Sequence, residues 1–110
     1  MEVEDLLEEA DQLYDEAEQV IVKEPSVGLK KFQDGVSNLL SAFLLVNDEK
    51  AEGDLRRLFK RCLGIEPEFA AIEDELDYIF MPHLAEADSE IICDAANEIW
   101  DFVIDLLVES

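Results

Sequence analysis

A chain of 110 residues with 29 acids and 8 bases carries a formal charge of −21, yet 49% of it is hydrophobic. That length and apolar content exclude a disordered acidic tail and predict a single self-sufficient core, while the charge excludes a surface that attracts nucleic acid or anionic membrane as a whole. The longest apolar stretch, Leu39 to Val46, is too short for a bilayer, and the acidic start Met1-Glu2-Val3-Glu4-Asp5 is unlike a secretory leader, so a cytoplasmic chain is expected.

From Val3 to Ile21 the apolar residues Val3, Leu6, Leu7, Ala10, Leu13, Tyr14, Ala17, Val20 and Ile21 recur at alternating intervals of three and four. Such spacing lines one face of a helix. Pro25 and Gly28 interrupt the pattern, and a second helix then carries Leu29, Phe32, Val36, Leu39, Leu40, Phe43 and Leu44 as far as Asn47. Its second half is apolar nearly all round, which marks the most enclosed helix; Gly35 in its middle predicts a close helix crossing. After the loop from Asn47 to Gly53, a short third helix holds Leu55, Leu58, Phe59, Cys62 and Leu63 on one side, with Gly64 as its expected stop. Beyond Pro67 the residues Phe69, Ile72, Leu76, Ile79 and Phe80 continue a helical pattern to Pro82, so the third element should be two pieces with a bend. Asp88 or Ser89 should cap a last helix whose core face is Ile92, Ala95, Ala96, Ile99, Phe102, Val103, Leu106 and Leu107. No stretch alternates as a half-buried strand does. The expected fold is all-α, an antiparallel four-helix bundle with a broken third helix, residues 1–110 forming one domain.

Charge is segregated along the chain. Residues 1–24 carry a net −9, residues 25–61 a net +2, and residues 62–110 a net −14 without a single base. In the middle segment Arg56, Arg57, Lys60 and Arg61 share one side of the third helix, a candidate anion or nucleotide site built from forked guanidinium groups. Elsewhere Glu4, Glu8, Asp11, Asp15 and Glu18 on the first helix, and Glu90, Asp94, Glu98, Asp101 and Asp105 on the last, set like charges one turn apart. Each such pair costs a few tenths of a kcal/mol, so these stripes serve either solubility or recognition of a basic partner.

Catalytic equipment is sparse. One histidine, His83, and two isolated cysteines, Cys62 and Cys93, do not make the usual zinc or di-iron sets, and the cysteines are expected to be reduced. The segment Asp48 to Phe59 has glycine at the sixth place of a calcium loop, but Lys50 and Phe59 stand where ligands are needed. There is no glycine-rich phosphate loop and no nucleophile elbow. No metal, cofactor or catalytic residue is expected, and the chain reads as a binding protein.

The order of elements resembles the HEPN domains of prokaryotes, small helical bundles that accompany minimal nucleotidyltransferases or act as RNases. The resemblance spans nearly the whole chain: a long first helix, a hydrophobic second, a short third in Asp54-Leu55-Arg56-Arg57-Leu58, then Leu76-Asp77-Tyr78-Ile79-Phe80-Met81-Pro82 before an acid-rich last helix. Nucleolytic members carry an arginine four to six residues before a histidine; here Asp77, Tyr78 and Ile79 occupy those places before His83. The resemblance therefore implies a non-nucleolytic, dimeric accessory protein that recognises a nucleotide, RNA or a partner protein. The rival expectation is an acidic decoy that occupies the basic site of a nucleic-acid-binding protein. A homodimer is also expected from the last helix, where Cys93, Trp100, Ile104 and Val108 form a second apolar strip between the core face and the acids.

Overall fold

The computed structural model describes residues 3–80 and 89–109, and every regular element among them is helical. They are α1 (Val3–Val20), α2 (Pro25–Val46), α3 (Leu55–Ile65), α4 (Glu73–Phe80) and α5 (Ser89–Glu109), with a 3-10 turn over Pro67–Ile72 between α3 and α4. None of these helices is long and apolar enough to cross a membrane.

Helix α1 buries Leu6, Ala10, Tyr14 and Ala17, the centre of the face read from the spacing. Glu4 and Asp5 in its first turn favour the positive end of the helix dipole. The chain reverses over residues 21–24, where the N–H groups of Lys23 and Glu24 both reach the Val20 carbonyl. Helix α2 then begins at Pro25, earlier than the spacing of large apolar residues indicated. Proline at the first helical position costs nothing, because its missing donor would have no acceptor there.

The α1–α2 hairpin is closed by small residues. A Cβ on Gly28 would lie 2.7 Å from the Ile21 Cα, and one on Gly35 would lie 2.8 Å from two ring carbons of Tyr14. Gly35 thus gives the close crossing that its position predicted, and Lys31 adds a 2.8 Å ion pair with Glu16 beside it. Phe32, Val36, Leu39, Leu40, Ala42 and Leu44 of α2 are all wholly buried, which accounts for a helix apolar on nearly every side.

Helix α2 ends in a Schellman motif. The Glu49 N–H bonds the Leu44 carbonyl at 2.9 Å and the Asp48 N–H bonds that of Leu45 at 3.1 Å, with Asp48 at φ 59°. Asp54 caps α3, its carboxylate accepting from the Arg57 N–H at 3.0 Å. Gly64 does not end this helix, contrary to expectation: α3 runs on to Ile65, and the glycine with positive φ is Gly53, at 104°.

The third element has three pieces where two were expected. Pro67 opens a 3-10 turn, and Glu66 caps it by accepting from the Glu68 N–H at 3.3 Å. The turn swings Phe69 into the centre of the molecule, where its ring meets those of Phe43, Phe59 and Phe102 at centroid distances of 4.8, 6.3 and 5.1 Å. Helix α4 follows, tied to α2 by a 3.0 Å hydrogen bond from Gln33 Nε2 to the Ile79 carbonyl. Helix α5 buries Ile92, Ala95, Ala96, Ile99 and Val103, while Phe102, Leu106 and Leu107 are half-buried at the edges of this face. One buried cluster joins all these elements.

Candidate functional site

The four cations singled out on α3 are all exposed, and the structure divides them into two pairs. Arg61 turns back to the preceding loop, its Nη1 donating to the Lys50 carbonyl at 2.7 Å. Arg57 lies against the same loop, since a Cβ on Gly53 would sit 2.9 Å from the Arg57 Cδ. Arg56 and Lys60 stand on the opposite edge of the helix. There they rim a groove of about 220 Å³ between α3 and α4, over an apolar floor that includes Leu55, Phe59, Leu63, Leu76 and Phe80. The far rim is acidic, formed by Glu73 and Asp77 of α4. None of the four cations ion-pairs with a described residue; the pairs present are Lys30–Asp34 and Lys31–Glu16. Sequence reasoning missed the acidic rim. Its signal is the one-turn spacing of Glu73 and Asp77, the same as that of Arg56 and Lys60, but only the fold puts the two rows side by side.

A second face lies along α1 and α5. The Tyr14 hydroxyl donates to the Ala96 carbonyl at 2.7 Å, and its ring packs against Trp100 at 5.2 Å between centroids. The apolar strip expected at a dimer interface is therefore partly covered from within. Cys93, Trp100 and Ile104 are half-buried, and Val108 alone of the four is exposed, at 78%. A large ring on α1, invisible to a reading of α5 by itself, accounts for the difference.

Acids of both helices converge on this seam. Burial raises the Cys93 thiol, and the charges of Glu18 from α1 and Asp94 and Glu90 from α5 raise it further. Burial likewise lifts the Tyr14 phenol far above the usual tyrosine range, with Asp101 adding to the effect. Glu4, Glu8, Asp11, Asp15 and Glu18 of α1, with Asp94, Asp101 and Asp105 of α5, are exposed and form no ion pair with a described residue. The outcome is an aromatic and aliphatic seam on which charges from both helices act, Glu18 of α1 and Glu90, Asp94 and Asp101 of α5.

Tyr14 makes the seam sensitive to alkali. A phenol whose pKa is raised in the folded state adds stability below its unfolded value, near 10, and loses it as the pH rises beyond that, because only the unfolded chain releases the proton. One of the two tyrosines should therefore stay un-ionised until the protein unfolds. Spectrophotometric titration followed together with circular dichroism checks this. Ionisation of both tyrosines with helicity intact would contradict it.

The other candidate groups add little chemistry. Cys62 is buried under α2, its thiol 3.7 Å from the Leu40 carbonyl, and burial pushes its pKa up to about 12, which leaves it inert as a nucleophile. Both cysteines are free. Between α4 and α5, the Glu98 carboxyl is held above the usual range by a hydrogen bond to Glu75 and by its charge. The buried Glu75 Oε2 has no hydrogen-bond partner among the described residues. Among the described residues no group of three or more His, Cys, Asp or Glu side chains is placed to hold a metal ion. His83, with Met81, Pro82 and Asp88, lies outside the described residues. In comparisons with known proteins no family model matches the chain, and no curated protein and no solved structure resembles it significantly.

Proposed function

We propose that this protein is a non-catalytic interaction module that binds a basic protein segment along the α1–α5 seam. The observation that carries the reading is the convergence of carboxylates from two helices on one seam: Glu18 of α1 with Glu90 and Asp94 of α5 act on half-buried Cys93, and Asp101 acts on buried Tyr14, whose ring packs against Trp100. Aromatic and aliphatic groups supply contact area, and the flanking charges supply orientation and rapid encounter. Acids one turn apart match lysines or arginines at the same spacing on an amphipathic helix, whose apolar face would rest on Trp100 and Ile104. The net charge disfavours nucleic acid at this face, and on α3 two of the four cations are engaged with the loop beside them.

The architecture that presents the seam is, in this reading, an antiparallel four-helix bundle in which α3, the 3-10 turn and α4 fill the third position. It would serve equally a HEPN-like accessory protein without the RNase motif and an acidic decoy, since both act by covering a basic surface. A cytoplasmic setting is part of the same proposal.

Trp100 is the sole tryptophan, so its fluorescence reports on the seam directly. Titration with a lysine- and leucine-rich amphipathic peptide should shift its emission. Glu18→Gln combined with Asp94→Asn and Asp101→Asn should weaken binding at least tenfold, equivalent to about 1.4 kcal/mol. A peptide of the same composition with its apolar face scrambled should bind more weakly. Equal affinity for the two peptides, or indifference to the three substitutions, would refute the proposal. So would binding of a single-stranded RNA oligonucleotide that is lost on Arg56→Glu with Lys60→Glu, which would instead favour the nucleotide reading.

A further inference from the structure

We infer that two copies of the chain pair across the groove between α3 and α4, with α3 of each copy lying over α4 of the other. This surface is separate from the α1–α5 seam, and the inference is independent of what the seam binds. Its basis is the charge pattern of the groove: Arg56 and Lys60 on one rim, Glu73 and Asp77 on the other, with apolar side chains between. Within one copy none of these four residues is in an ion pair with a described residue, so both rims keep their charges available.

A two-fold interface brings one patch against itself, so its charges must complement their own image. Two orientations of the axis are open, and the rims distinguish them. An axis across the groove would set α3 on α3 and α4 on α4, opposing like charges at both rims. An axis along the groove sets each cationic row against the partner's acidic row. Both rows have two charges at the i, i+4 spacing of one helical turn, so their repeats match. The apolar floor, with Phe59, Leu63 and Phe80 half-buried, supplies area that the pairing removes from water.

Long-range electrostatics select the same face. Two molecules of charge −21 repel, and approach through the α1–α5 seam would bring carboxylate rows together. Helix α3, with four cations and no acid between Leu55 and Ile65, is where two such molecules approach with the least repulsion. The homodimer expected from the strip on α5 is thus proposed here at a different surface.

Charge reversal of each rim gives a decisive test. Arg56→Glu with Lys60→Glu makes both rims acidic; Glu73→Lys with Asp77→Lys makes both basic. All four positions are exposed, so the variants should keep their helicity, which circular dichroism checks. By sedimentation and native mass spectrometry the wild type should dimerise at tens of micromolar (roughly the range of weak self-association), and each variant alone should be at least tenfold weaker. An equimolar mixture of the two variants should form the heterodimer, because every rim then meets its opposite. Trp100→Glu should leave dimerisation unchanged. A monomeric wild type, variants that still dimerise alone, a mixture that fails to pair, or a dimer lost on Trp100→Glu would each overturn the inference.

Discussion

Phe69→Ala should lower the unfolding free energy by about 3–5 kcal/mol, the usual cost of removing a fully buried phenylalanine. Phe69 is wholly buried, and its ring touches one ring each from α2, α3 and α5. Few residues of the chain join so many elements. Because the 3-10 turn that carries it has only Phe69 and Ile72 as buried anchors, the deletion also releases the connection between α3 and α4. Against a typical total stability of about 5–15 kcal/mol, a loss of that size should lower the melting temperature by roughly 10 °C or more. Phe59→Ala, at a half-buried position on the same cluster, should cost clearly less. Urea and thermal unfolding measure both; a loss below about 1 kcal/mol for Phe69→Ala would show that the turn is not docked as described.

The second large effect separates two glycines that look alike in sequence. Gly28→Ala should destabilise the protein by about 2–3 kcal/mol, because the new methyl would fall 2.6 Å from the Ile21 Cβ and 2.7 Å from its Cα. Ile21 presents both its backbone and its buried, branched side chain to the new methyl, which leaves no soft neighbour to move. The gain in helix propensity, about 1 kcal/mol, does not offset that clash. Gly64→Ala should stabilise by about 0.5–1 kcal/mol, since no atom lies within 4 Å of the added carbon and the backbone there is helical. The two variants, compared by urea denaturation, should move in opposite directions. Movement in the same direction would show that the α1–α2 packing at Ile21 is looser than described.

Much of the fold was legible because it depends on spacing. The burial of Leu6, Ala10, Tyr14 and Ala17, and of Ile92, Ala96, Ile99 and Val103, follows from periodicity alone. Gly35 was readable as a crossing point for the same reason. The 3-10 turn was not, because an interval of three between Phe69 and Ile72 suits both helix types, and a proline at the first position with a capping acceptor before it can open either. Gly64 misled because glycine marks a helix end only where the backbone becomes left-handed, a condition met here by Asp48 and Gly53 instead. At the candidate sites, charge could be counted but not allocated. The division of the α3 cations depends on where the Lys50 carbonyl falls, and the shielding of Trp100 depends on Tyr14, more than eighty residues away along the chain. Both are tertiary facts without a local signature.

The hydrogen bond from Arg61 to the Lys50 carbonyl has a consequence for a chain so rich in acids. Fastenings made of carboxylates loosen as acid neutralises them, and this surface holds more carboxylates than any other charged group. A guanidinium on a peptide oxygen has no such weakness. The fork of N–H groups meets a neutral amide oxygen, so no carboxylate takes part in the contact. The loop from Asn47 to Asp54 is thus latched to α3 by a contact indifferent to acidity, and the junction between the acidic hairpin and the rest of the molecule can hold while the charges around it are switched off.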